Sequence, residues 1–93
     1  MDKRRSVAND QRLRRKKALL ALLRDLRKEA GLRQTDLAKK LEKPQSYVSK
    51  YESGERRLDL LELEQVCQAL GVRPKVLVER FEKDRVSHNT ALR

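Results

Sequence analysis

Between Pro44 and Gly54 the sequence reads QSYVSKYES, and its polar side chains gather on one side if the segment is helical. Projected at 100° per residue, Gln45, Ser46, Ser49 and Lys50 share one face, Val48 and Tyr51 point the other way, and Tyr47 falls at the boundary. Such a set suits non-covalent recognition. A Gln amide pairs bidentately with adenine, Ser pairs with several base edges, and Lys reaches guanine acceptors or a phosphate. The same residue types also make an ordinary wet helix face, so the pattern alone leaves both readings open.

Covalent and metal chemistry have few candidates. Cys67 is the one cysteine and His88 the one histidine, and there is no glycine-rich phosphate loop. Without a nucleophile–base pair or a metal cluster, no enzymatic activity, cofactor or metal is expected. A lone cysteine forms no intramolecular disulfide. Cys67 lies on an apolar stripe and is expected to be a small buried hydrophobe.

The 93 residues suit one small domain, and 38% hydrophobic against 41% charged residues allows a modest, leucine-rich core. The net charge of +10 favours phosphate backbones or anionic surfaces as partners. It is unevenly spread: residues 1–17 hold eight Lys/Arg and two Asp, a net +6, and the remainder contributes +4. No apolar run of about 18 residues and no signal-peptide h-region occur, so a cytoplasmic protein without a membrane partner is expected.

The elements that must position the four polar residues follow from periodicity and stop signals. Residues 1–9 lack an apolar period and are expected to form a loose arm. From about Asp10, which is expected to cap the helix, Leu13, Leu19, Leu20, Leu22, Leu23, Leu26 and Ala30 recur at helical spacing up to Gly31. The RRKK run at 14–17 reads equally as a solvated face or a phosphate contact, and also as a nuclear localisation signal of low specificity. A second helix spans Gln34–Leu41, with Leu37, Ala38 and Leu41 on one face and Ala38 small enough to let another helix cross closely. Pro44 suits the first position of the third helix, about Gln45 to Glu52, which Gly54 stops. After a basic loop through Arg56 and Arg57, Asp59 and Glu62 have the spacing of a reciprocal cap for a fourth helix, with Leu63, Val66, Cys67 and Leu70 inward and Gly71 at its end. Pro74 starts a short fifth helix with Leu77, Val78 and Phe81, and residues 83–93, including His88, read as a fraying tail.

No strand alternation or internal repeat interrupts this order. The expected fold is all-α, a compact bundle of about five helices. Two short helices joined by a tight turn, with apolar anchors inside and a polar outer face on the second, match a helix-turn-helix, whose second helix enters the DNA major groove.

The stretch from Leu22 to Val72 resembles the DNA-binding domain of the phage repressor and Cro group, the xenobiotic-response-element-like (XRE) transcriptional regulators. The resemblance rests on Leu26-Arg27-x-x-x-Gly31-Leu32-x-Gln34, on Leu37-Ala38, and on Ser49-x-Tyr51-Glu52-x-Gly54. It implies a lambda-repressor-like fold that binds double-stranded DNA. By the same resemblance, Gln45, Ser46 and Lys50, then Ser49, meet base edges. Gln34 bonds a phosphate and braces Gln45, Tyr47 touches the backbone or a thymine methyl, and Arg56 and Arg57 grip phosphates; Arg33 is taken as a further phosphate contact. Three positions depart from the family pattern. Glu42 stands where glycine is frequent, at a cost of about 1–2 kcal/mol if its backbone is left-handed. Lys43 replaces an apolar residue, and Pro44 replaces a Ser or Thr cap.

The resulting expectation is a sequence-specific regulator, a repressor acting as a homodimer on an inverted repeat. Residues 1–17 form a basic extension, 18–82 the DNA-binding domain and 83–93 a tail. The dimer surface is expected on the fifth helix or on the N-terminal helix at Leu13 and Leu19. An antitoxin or bridging module that holds a protein partner is the alternative from another class. RNA binding by the arm is less favoured, because no stacking aromatic pair is present.

Overall fold

Four left-handed backbone positions divide the chain into its helices. In the computed structural model, which describes the backbone of residues 3–91 and the side chains of residues 9–83, five α-helices are formed. They are α1 (Lys3–Glu29), α2 (Gln34–Leu41), α3 (Gln45–Ser53), α4 (Leu60–Leu70) and α5 (Pro74–Ala91), and no strand forms among the described residues. Gly31, Gly54 and Gly71 have positive φ and follow α1, α3 and α4; Glu42, at φ 57°, ends α2 in the same conformation. After α4 the backbone closes by Gly71 N–H donating to Gln68 O and Val72 N–H to Cys67 O. The turn at Glu42 repeats this pattern, with its N–H donating to Lys39 O and Lys43 N–H to Ala38 O. Thus Glu42 performs a glycine's task at the expense its Cβ imposes.

At the start of α4 the expected reciprocal cap is present: Glu62 N–H donates to Asp59 Oδ1 at 2.7 Å, and Asp59 N–H donates to Glu62 Oε1 at 2.9 Å.

Both terminal helices run further than their apolar periods. α1 begins at Lys3, so Asp10 lies within the helix and caps nothing, and residues 3–9 are not a loose arm. α5 continues to Ala91, so residues 83–91 extend it where a fraying tail is expected; the His88 side chain lies outside the described side chains. Neither stretch contains Gly or Pro, and adding a residue to an existing helix costs far less than nucleating one. Pro44 stands one position earlier than expected, as the residue before α3, with extended φ −64° and ψ 155°. Its missing N–H is still harmless, while its carbonyl accepts from Tyr47 N–H.

Every helix contributes to one core. Leu23 and Leu26 of α1, Leu37 and Ala38 of α2, Tyr47, Val48 and Tyr51 of α3, Val66, Cys67 and Leu70 of α4, and Leu77 of α5 are buried. Cys67 is fully buried, and that burial pushes its thiol pKa up. Ala38 lets α2 lie close on α3, which also packs against α1, while α2 rests on α4. Full burial of a Leu or Val stabilises by about 1.5–3 kcal/mol, so this inner surface fixes the angle at which α3 is presented. On α5, Leu77 belongs to the core, Val78 is exposed, and Phe81 is half-buried.

Candidate nucleic-acid interface

The outer side of α3 carries the polar set expected of it. Gln45, Ser46 and Lys50 are exposed, and Ser49 is half-buried with its hydroxyl donating to Ser46 O at 3.2 Å. An α-helix with its side chains is about 10–12 Å across, which the roughly 12 Å width of a B-DNA major groove admits. The opposite side holds Tyr47, Val48, Tyr51 and Glu52, all buried. Tyr47 therefore lies on the core side rather than at the boundary. Its ring meets Tyr51 edge to face at 6.0 Å between centroids. Burial pushes the hydroxyl pKa of both tyrosines up, and the Tyr51 hydroxyl has no hydrogen-bond partner among the described residues.

A charge sits under this helix. Glu52 is 3% exposed, and the Arg27 guanidinium grips its carboxylate through Nε at 2.7 Å and Nη2 at 3.1 Å. Arg27 Nη1 also donates to Leu32 O, and Gln34 Nε2 donates to Glu52 Oε1 at 2.9 Å. The hydrogen bond to Glu52 holds the Arg27 pKa above its ordinary value. One bidentate pair thus links α1, the connection to α2, and α3. Gln34 does not brace Gln45 among the described hydrogen bonds; it braces Glu52, because the carboxylate is the stronger acceptor within its reach.

The basic candidates differ in how free they are. Arg33 N–H donates to Asp36 Oδ2 at 2.8 Å, and its guanidinium bonds the same carboxylate at 3.1 and 3.2 Å. These bonds lower the Asp36 pKa, and they raise that of Arg33. Arg56 forms a fork on Glu62 at 3.2 and 2.7 Å while its guanidinium carbon lies 4.5 Å from the Tyr47 ring centroid. That fork, with the Asp59 N–H, holds the Glu62 carboxyl down at about 2. Arg57 is exposed, and no side-chain hydrogen bond or ion pair engages it among the described residues. Arg56 is therefore a strut between α3 and α4, and Arg57 is the freer cation. The Lys43 ammonium lies over the Tyr47 ring, 5.5 Å from its centroid.

A sequence model of the helix-turn-helix family matches residues 23–77. The chain is also similar to the solved structure of an XRE-family like protein from Pseudomonas syringae pv. tomato str. DC3000, at 40% identity and a TM-score of 0.78 over 83% of this chain and 94% of that one. The chain belongs to the XRE family of helix-turn-helix, DNA-binding transcriptional regulators. It is further similar to the restriction-modification controller protein C.Esp1396I, at 28% identity and TM-score 0.71 over 77% of this chain and 95% of that one. The clp gene regulator ClgR from C. glutamicum matches at 28% identity and TM-score 0.66, over 74% of this chain and 88% of that one. No curated protein sequence matches the chain. Family and neighbours are regulators rather than enzymes.

In this XRE-family chain the structure gathers Gln45, Ser46, Ser49 and Lys50 on one face, and sets Arg56 and Arg57 just beyond that helix. Gln34 and Arg33 lie at the start of α2. Sequence reasoning passes over the joint role of Arg27 and Glu52, although both stand within the family motif. A signal exists: at 100° per residue Glu52 falls beside Val48 on the inward side of α3, where a carboxylate needs a cationic partner.

Proposed function

We propose that this regulator is a repressor that reads duplex DNA with α3. The exposed polar face of Gln45, Ser46 and Lys50, held opposite a fully packed inner face, carries this reading. Gln45 pairs with an adenine edge, Ser46 and Ser49 with neighbouring edges, and Lys50 with guanine acceptors. Arg57, Arg33 and the second N–H of the Gln34 side-chain amide contact phosphates. Arg56, in the loop after α3, stacks on the Tyr47 ring of α3, and the two present the backbone contact from a fixed position.

One such helix touches few base pairs, so two copies on an inverted repeat, about 34 Å between half-site centres, give the specificity that one lacks. The similar C.Esp1396I controller protein is a tetramer in complex with a natural operator of 35 base pairs, which supports an oligomeric reading. Leu60, Leu61, Val76 and Val78 are exposed apolar side chains on α4 and α5 available for pairing of subunits. We place the DNA-binding domain at 18–82, flanked by extensions that continue α1 and α5 without a break. We read its location as cytoplasmic, with its DNA partner; no described helix is long and apolar enough to cross a membrane.

Selection of bound duplexes from a random pool tests the reading. Enrichment of a palindrome is expected. An absence of enrichment, with a second protein retained in the absence of DNA, overturns it in favour of a protein-holding module.

A further inference from the structure

The basic half of α1 is not a free arm. Lys16 Nζ donates to Gly54 O at 3.0 Å, at the very end of α3, and the Arg15 guanidinium carbon lies 3.7 Å from the Phe81 ring centroid. Between this part of α1, the loop after α3 and the crossing of α5 runs a cleft of about 550 Å³. Leu19, Leu20, Leu58, Leu63 and Phe81, with the more exposed Leu13, give it apolar lining, and Arg12, Arg15, Lys16, Arg56 and Arg57 line it as well. The apolar lining holds the extension against the body, and so fixes where its cations stand.

The cleft is short of anions. Of its five cations only Arg56 pairs with a carboxylate among the described residues. Four further positive charges stand around one cleft, a local positive field that favours an anion. The directions are specific as well. Arg12, Arg15 and Lys16 turn into the cleft, whereas Arg14 and Lys17 do not line it. Arg12 and Lys16 are one turn apart, about 6 Å along α1, roughly the advance of two phosphates on one strand.

We propose that this cleft is a second phosphate-binding site for the DNA backbone, formed by Arg12, Arg15 and Lys16 together with Arg57. It rests on the reading of α3 and its loop as the DNA-facing surface. It extends the footprint beyond the base pairs that α3 reads, adds affinity without sequence preference, and assigns a role to the basic extension. Lys16 bonds the Gly54 carbonyl just after α3, which ties the extension to the end of that helix.

The test compares two variants of the full chain that remove equal charge. Arg12→Gln/Lys16→Gln removes two cations from the cleft, and Arg14→Gln/Lys17→Gln removes two cations pointing elsewhere. Binding to the selected duplex and to a random duplex is measured by fluorescence anisotropy across a salt series, with thermal melting as the check on folding. For the cleft variant the slope of log K against log salt is expected to be shallower by about 1.8, at roughly 0.9 per phosphate, on both duplexes. The control variant should change it by far less. Single Arg12→Gln, at an exposed residue outside every described hydrogen bond, should change the slope by about 0.9 and keeps the test decisive if the double variant melts early. Equal changes in cleft and control variants, or none in the cleft variant, overturn the second site and leave the reading of α3 standing. Failure of the unmodified protein to bind either duplex overturns that reading, and the cleft with it.

Discussion

The two sides of α3 obey different rules. On the inner side each position is dictated by its neighbours: Val48 and Tyr51 are fully buried, Tyr47 is boxed by Tyr51 and Arg56, and Glu52 is held by Arg27 and Gln34. On the outer side Gln45, Ser46 and Lys50 touch little, and only Ser49 is tied back, to its own helix. The contacts of the inner side hold one pose, and the outer side makes few contacts within the protein, so its polar groups are open to a partner. A regulator needs this division, because base pairs are discriminated only if the groups that read them are aimed before contact.

The contrast breaks most sharply at Glu52. Glu52→Ala leaves the Arg27 guanidinium buried without its partner, and loss of one member of such a pair costs about 3–5 kcal/mol. Chemical denaturation should show a large part of the folding stability gone. A loss below about 1 kcal/mol would mean that the inner side is not anchored by this pair.

A smaller effect of opposite sign is expected at the turn that leads into α3. Glu42 is the non-glycine residue with positive φ among the described residues, and Glu42→Gly should stabilise by about 1 kcal/mol, since glycine adopts that backbone freely but loses more entropy on folding. The same denaturation experiment checks it. Destabilisation would show that the Glu42 side chain supports the turn in a way its exposure does not suggest.

Acid titration reaches the support around Tyr47. The Glu62 carboxyl is held down at about 2 by Arg56 and the Asp59 N–H. The unfolded chain takes up its proton near the ordinary glutamate value of about 4.3, so this pair stabilises the fold fully above that pH and progressively less as pH falls toward 2. Thermal melting of Glu62→Gln should therefore show a shallower loss of stability over that window than the unmodified chain. Parallel curves would show that the ion pair is not formed in solution.

The sequence makes some of this division legible and hides the rest, for physical reasons. Helix stops at Gly31, Gly54 and Gly71, the reciprocal cap of Asp59 and Glu62, and the burial of Leu37, Ala38, Val48, Tyr51 and Cys67 are local or periodic properties, and all are found in place. The start of α1 and the end of α5 are misjudged because apolar periodicity reports packing, whereas a polar run without Gly or Pro extends a helix that packing has already nucleated. Arg27 and Glu52 lie 25 positions apart, so nothing local announces their pairing, and the bond from Gln34 to Glu52 becomes visible only once that carboxylate is seen to be buried. The outer side is readable as a face but not as a function from spacing alone, since a wet surface has the same composition.

The central claim is that the outer side of α3 reads bases while the inner side only aims it. Affinity of Gln45→Ala for the selected duplex and for a random duplex, measured at one salt concentration alongside its melting temperature, tests this most directly. Loss of a bidentate base contact should weaken the selected duplex by about 1–3 kcal/mol, leave the random duplex unchanged, and shift stability by less than about 0.5 kcal/mol. Equal weakening on both duplexes, or none on either, would contradict it.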